Sequence, residues 1–164
     1  MGLFTKLKDS FDASLGKPKD ERLDKAKCFS GSAGSYISIA ENGFIGIKSL
    51  RLKTAKIFHI NDLSGFELKT NGKQTANLGG AIAGGILFGA VGAVLGGISS
   101  AEKISSICFV FKFNDFESPV IEIEMLPSPV KKGSLLHKST MEEMGKIMGL
   151  LEFIERKYKT ETQK

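Results

Sequence analysis

Residues 36–48 read YISIAENGFIGIK, and this stretch decides the fold. Apolar side chains alternate on both sides of Asn42-Gly43, a dipeptide that suits the positive φ values of tight hairpin turns. This period of two predicts one strand over residues 36–40, a turn, and a second strand over residues 44–48. An antiparallel β-sheet is therefore expected at the core of the protein.

Four more strands are predicted outward from this hairpin. Residues 57–60 and 65–69 follow it, and Asn61-Asp62 forms the turn between them. Beyond a long glycine-rich stretch, residues 107–113 and 121–125 again alternate with a period of two. Six strands are thus expected, and the last has one wet face, as in a sheet that packs on one side only.

A C-terminal helix is predicted after the strands, with one apolar face and one charged face. Its apolar residues are Met141, Met144, Ile147, Met148, Leu151, Ile154 and Tyr158. Ser139 with Glu142, or Thr140 with Glu143, offers a capping box at its start. The helix is expected to cover the open face of the sheet, although a methionine-rich stripe is also typical of adaptable binding surfaces.

The N-terminal region also has a helical pattern. Apolar residues at positions 4, 7, 11 and 15 predict a short amphipathic helix over residues 3–15, which Gly16 and Pro18 end. This helix either packs on the domain or lies in a membrane interface. Residues 17–27 alternate in charge and are expected to form a solvated linker or an exposed helix.

Residues 78–100 carry no charge and consist of glycine, alanine, serine and large apolar residues. A run of about 20 apolar residues is long enough to cross a hydrocarbon core as one helix. Small residues recur in it at steps of four, and they are the predicted helix-packing residues: Gly80, Ala81, Gly84, Gly85, Gly89, Gly92, Ala93, Gly96 and Gly97. Such a ladder leaves a groove in which a second helix approaches closely.

Three interpretations of this segment remain open: insertion into a membrane, tight packing between subunits in water, and a glycine-rich loop. In water each glycine costs a helix about 1 kcal/mol relative to alanine, so a helix here needs a tight partner. A single crossing would place the strands before and after the segment on opposite sides of the membrane. If they share one sheet, the segment must return to the same side, for example as a hairpin that bends near Phe88-Gly89.

Four basic residues, Lys48, Arg51, Lys53 and Lys56, lie in a stretch that has no acidic residue between Glu41 and Asp62. A cationic loop at the rim of the sheet would hold lipid phosphates or another anion. The alternative is a solvated surface loop without a ligand. Nucleic acid is disfavoured as a partner, because no aromatic platform or recognition helix accompanies these residues.

Catalysis is not indicated by the sequence. His59 and His137 have no nucleophile or acidic partner at a motif spacing, and Gly72-Lys73 is followed by Gln74 rather than by the Ser or Thr of a phosphate-binding loop. Two widely spaced cysteines, Cys28 and Cys108, indicate a reducing compartment and no zinc site. We therefore expect no enzyme, no cofactor and no metal, and a cytoplasmic location at the inner face of a membrane.

The order of short antiparallel strands and one C-terminal helix resembles that of pleckstrin-homology-like (PH-like) domains. Residues 37–47, ISIAENGFIGI, and 56–68, KIFHINDLSGFEL, are similar to the bacterial members of that group, which include the GRAM-like domains. The resemblance implies an α+β fold with an antiparallel sheet or barrel, and a binding or scaffolding role without chemistry of its own. Two departures are the count of six strands instead of seven and the glycine-rich insertion.

The chain thus divides into three predicted parts: residues 1–30 with the amphipathic helix and linker, residues 31–69 plus 104–160 as the PH-like domain, and residues 70–103 as a glycine-zipper insertion. The insertion is expected to mediate membrane association, self-oligomerisation or both. Membrane lipid, a second copy of the chain and a protein partner are the expected ligands. The alternative is a soluble bacterial or phage protein that inhibits or bridges a protein partner.

Overall fold

A computed structural model of the protein describes residues 20–71, 73–77, 103–126 and 128–159. These residues form ten strands in three antiparallel sheets, together with one long helix. The strands are β1 (Lys27–Ser30), β2 (Tyr36–Ile39), β3 (Phe44–Lys48), β4 (Lys56–His59), β5 (Leu63–Thr70), β6 (Lys73–Asn77), β7 (Lys103–Ile104), β8 (Ile107–Phe113), β9 (Val120–Glu124) and β10 (Val130–Lys131), and the helix α1 is Leu135–Lys159. The amphipathic segment 3–15 and the glycine-rich segment 78–100 lie outside the described residues.

The first sheet has the strand order β1-β2-β3-β4 and contains the predicted hairpin. Ile37 lies opposite Ile47, and the turn closes with the Ala40 amide donating to the Phe44 carbonyl at 3.0 Å. Gly43 has φ +88°, a conformation that glycine adopts without steric penalty. The hairpin prediction is confirmed.

The second sheet has the order β6-β5-β8-β9. Phe66 of β5 lies opposite Phe111 of β8, and Ile121 of β9 lies on the other side of Phe111. A third, two-stranded sheet joins β7 to β10. The four strands predicted for residues 57–60, 65–69, 107–113 and 121–125 are present as β4, β5, β8 and β9, and none of the described sheets closes into a barrel.

The predicted count of six strands was wrong. Strands β1 and β6 bring the two main sheets to eight strands, two more than predicted. The two short strands β7 and β10 form the third sheet in addition. Strand β1 has a single buried apolar side chain, Phe29, and lies next to a charged stretch, so it gives no clear alternating pattern.

The core lies between the two main sheets and beneath α1. Phe58 of β4 stacks on Phe113 of β8, with ring centroids 3.9 Å apart and an interplanar angle of 10°, which ties one sheet to the other. Helix α1 buries five residues of its apolar face against this core, and Met141 and Tyr158 are half-buried beside them; the five are Met144, Ile147, Met148, Leu151 and Ile154. The prediction that the helix covers the sheet is confirmed.

The start of the helix was predicted too late. Helix α1 begins at Leu135, and the Ser134 hydroxyl accepts a hydrogen bond from the His137 amide at 3.3 Å, as an N-cap residue does. Thr140, one of the two proposed caps, is buried inside the helix. The first turn carries exposed leucines in place of the apolar face, so its pattern does not show the helical period.

Candidate functional site

The described chain stops before the glycine-rich insertion at Asn77, in β6, and resumes at Lys103, in β7, which leads into β8 of the second sheet. We call this junction the neck. Strand β6 pairs with one edge of β5, with Asn77 opposite Glu67. Strand β8 pairs with the other edge of β5, with Ile107 opposite Thr70. From Glu67 to Asn71, the residue that follows β5, the chain advances four positions and spans about 13 Å. The chain on both sides of residues 78–102 is therefore held by the same strand.

Asn71 fixes the returning chain. Its backbone amide donates to the Ser106 carbonyl at 3.0 Å, and its side-chain Nδ2 donates to the Lys103 carbonyl at 3.2 Å. Its Oδ1 accepts hydrogen bonds from the amides of Ser105 at 2.6 Å and Ser106 at 3.4 Å. Asn71 has φ +52°, a left-handed conformation that asparagine tolerates better than most residues. One residue thus positions the first residues after the insertion.

Two substitutions separate the roles of Asn71. Asn71→Gly keeps the backbone free to adopt positive φ and removes the side-chain hydrogen bonds, with an expected loss of about 1 kcal/mol. Asn71→Ala removes the same bonds and adds the cost of a left-handed residue, so we expect about 2 kcal/mol. Urea unfolding of the full chain measures both losses. Equal stability of Asn71→Ala and the wild type would contradict the role assigned to Asn71.

Two of the four predicted anion-binding residues are engaged within the protein. Lys48 donates through Nζ to the carbonyls of Leu52 and Lys53, the latter at 2.8 Å, and so shapes the β3–β4 connection. Lys56 Nζ lies 2.8 Å from Glu117 Oε2 and 4.0 Å from Asp115 Oδ1. Their charges are therefore partly committed to partners in the protein.

The other two basic residues keep more exposed charge. Arg51 lies 3.8 Å from Glu122 on β9, but 85% of its side chain is exposed. Lys53 is exposed and pairs with no acidic side chain of the described residues. Leu50, on the same connection, is 68% exposed. A role for this loop in anion binding stays a prediction, and Arg51 and Lys53 are the residues with charge available for it.

His59 and Cys108 are not arranged as reactive groups. His59 packs edge-on against Phe44 and Tyr158, with ring centroids 5.1 Å and 5.2 Å away, and its Nδ1 accepts a hydrogen bond from the Asn61 amide at 3.3 Å. Burial, together with the nearby carboxylates of β9, raises the pKa of Cys108 to about 11. That thiol is protonated at neutral pH and is therefore a poor nucleophile.

Two antiparallel sheets covered by one C-terminal helix, with a long insertion held at a neck, define a PH-like domain of the binding and scaffolding class. The family model for a glycine zipper containing PH domain matches residues 27–127, from the first residue of β1 to just beyond β9, and the chain belongs to this family. PH-like domains are generally non-catalytic. No curated protein and no solved structure matches the chain.

The structure describes no helix that is both long enough and apolar enough to span a membrane. The nine predicted helix-packing residues of the glycine ladder fall in residues 78–102, outside the described part of the chain. Their role in packing and the three-part division of the chain stay predictions. Strand β6 and Lys103, the first residue of β7, lie within the range 70–103 that was assigned to the insertion, so strands occupy both ends of that range.

Proposed function

We propose that this protein is a non-enzymatic scaffold that its glycine-zipper insertion attaches to the inner face of a membrane, where the glycine ladder packs against a second copy. The observation that carries this proposal is the neck, at which β5 holds the chain on both sides of the insertion. An uncharged segment that both leaves and rejoins one sheet enters the bilayer from one side only.

The spacing at the neck argues against a single crossing. A straight helix over residues 78–100 would be about 35 Å long, far more than the ~13 Å between Glu67, opposite Asn77, and Asn71, which holds the returning chain. Residues 101 and 102 add at most about 7 Å of reach. The proposal therefore has the insertion double back near Phe88-Gly89, with each arm too short to span the hydrocarbon core.

The glycine ladder supplies the reason for self-association. A groove without side chains lets two helices approach closely and gain dispersion contacts, which drive helix association in lipid. Both arms of the hairpin would lie within the bilayer, so the groove would face either lipid or another helix. Packing against the groove of a second copy would fill it. In the β3–β4 connection, Arg51 and Lys53 have charge available for lipid phosphates.

Membrane attachment is tested by fractionation of cells that express the full-length protein. We expect the wild type to sediment with membranes and to need detergent for release. A protein held by surface charge alone would be released by high salt, because salt screens that attraction. Complete recovery in the soluble fraction without detergent would contradict the proposal. It would favour a soluble protein that bridges or inhibits a protein partner.

Self-association is tested by Gly89→Leu, which fills the predicted groove. We expect the oligomer of the detergent-solubilised protein to become smaller in light scattering, because a leucine there keeps the two backbones apart. Gly149→Leu is the matched control, since Gly149 is exposed on α1 and a Cβ added there meets nothing within 4 Å. An unchanged oligomer size for Gly89→Leu would contradict the proposal that the glycine ladder mediates self-association.

A further inference from the structure

Two lysines face each other across the small sheet beside the neck. Lys131 of β10 lies directly opposite Lys103 of β7, and Lys103 is the first described residue after the insertion. Like charges at directly opposed positions of an antiparallel pair destabilise it. The pairing of β7 with β10 nonetheless places these two exposed lysines side by side.

The chain beyond Lys131 adds both charge and apolar surface at the same place. The Ser134 amide donates to the Lys131 carbonyl at 3.1 Å and turns the chain into α1. The first turn of α1 exposes 85% of Leu135 and 42% of Leu136, and Lys138 is exposed beside them. We call Lys103, Lys131, Leu135, Leu136 and Lys138 the neck cluster.

The neck cluster lacks acidic partners, unlike the β3–β4 loop. The sequence has no acidic residue between Glu124 and Glu142. Within the described ranges, no carboxylate pairs with Lys103, Lys131 or Lys138. In the β3–β4 loop, by contrast, Lys56 and Arg51 each lie within 4 Å of an acidic residue. Three lysines without a carboxylate partner among the described residues, Lys103, Lys131 and Lys138, therefore lie close to the insertion or at the start of α1.

We propose that the neck cluster is a docking surface for anionic lipid headgroups, an inference that rests on the proposed membrane attachment. The lysines would meet phosphates, and the exposed leucines would enter the boundary between headgroups and acyl chains. Lysine stems also cover apolar surface while their ammonium groups stay at headgroup level. A membrane fits this combination better than nucleic acid does, because paired exposed leucines gain nothing from a phosphate backbone.

The test compares binding of the full-length protein to two kinds of vesicle, one of phosphatidylcholine alone and one that also contains phosphatidylglycerol. The wild type should bind the anionic vesicles more tightly, and rising salt should weaken that preference. The pair Lys103→Gln/Lys131→Gln should weaken binding to the anionic vesicles about 30-fold, since each lysine near an anionic surface contributes about a factor of five. The same pair should not reduce folded stability, because it removes a repulsion.

A matched control removes the same charge elsewhere. Lys25→Gln/Lys27→Gln changes two exposed lysines near β1, and we expect unchanged binding. The pair Lys103→Arg/Lys131→Arg keeps the charge and should bind like the wild type. The proposed docking surface would be contradicted if Lys103→Gln/Lys131→Gln bound the anionic vesicles as tightly as the wild type. It would also be contradicted if the Lys25→Gln/Lys27→Gln control weakened binding equally. Equal binding to both kinds of vesicle overturns this inference and leaves membrane attachment intact, whereas no binding to either overturns both.

Discussion

Phe111→Ala is expected to lower the free energy of unfolding by about 4 kcal/mol, the middle of the range for removing a buried aromatic ring. Phe111 is fully buried at the centre of β8, and its ring lies between those of Phe66 at 5.4 Å, Phe109 at 5.9 Å and Phe113 at 6.1 Å between centroids. Its loss leaves a cavity that rigid neighbouring strands cannot close, and it also removes the aromatic contacts. Urea unfolding followed by circular dichroism measures the loss.

The matched control is Phe116→Ala in the connection from β8 to β9. Phe116 is fully exposed, so we expect a change within about 0.5 kcal/mol. The same chemical deletion at two positions thus differs only in burial. If the two variants lost similar stability, Phe111 would not belong to the core that joins the sheets.

Gly43→Ala is expected to cost about 3 kcal/mol, the sum of backbone strain and a steric clash. Gly43 has φ +88°, and a Cβ added to it would lie 2.7 Å from His59 Nε2 and 2.9 Å from the Tyr158 ring. Both neighbours must move, and Tyr158 belongs to the last turns of α1, where its hydroxyl donates to the Glu41 carbonyl at 3.3 Å. The substitution should therefore loosen the end of the helix from the hairpin.

Gly34→Ala separates the two causes. Gly34 has φ +75° and nothing within 4 Å of an added Cβ, so it incurs the backbone cost alone, about 1 kcal/mol. Hydrogen exchange of α1 gives a second readout, because only Gly43→Ala should speed exchange in the last turns of the helix. Equal losses of stability for the two variants would show that the close approach of Gly43 to His59 and Tyr158 does not contribute to the cost of Gly43→Ala.

Periodicity made much of this fold predictable. The hairpin of residues 36–48, the phenylalanines of β8 and the apolar face of α1 each repeat with the period of their element, because one side of each is buried. Strand β1 was missed because only Phe29 points into the core. The start of α1 was missed because Leu135 and Leu136 are exposed and do not extend the buried face. A periodic sequence pattern therefore predicts a strand or helix only where one side of that element is buried.

The arrangement at the neck depends on contacts distant in sequence. The sequence around Lys103 does not predict its proximity to Lys131. Only the pairing of β7 with β10 places Lys131 opposite Lys103. The basic loop shows the same limit, since its acidic partners Glu117 and Glu122 come from the far side of the insertion. Asn71 is inconspicuous for the same reason, because its partners are the backbone groups of residues 103–106.

The depth of the insertion in a bilayer tests the central claim most directly. Single cysteines at Leu78, Phe88 and Ser100, in a chain with Cys28 and Cys108 replaced by serine, would carry a fluorophore in the vesicle-bound protein. We predict strongest quenching at position 88 by lipids brominated in their acyl chains, with positions 78 and 100 open to aqueous iodide on the same side. A probe at position 88 that iodide reaches and brominated lipid does not, or positions 78 and 100 on opposite sides, would contradict the account.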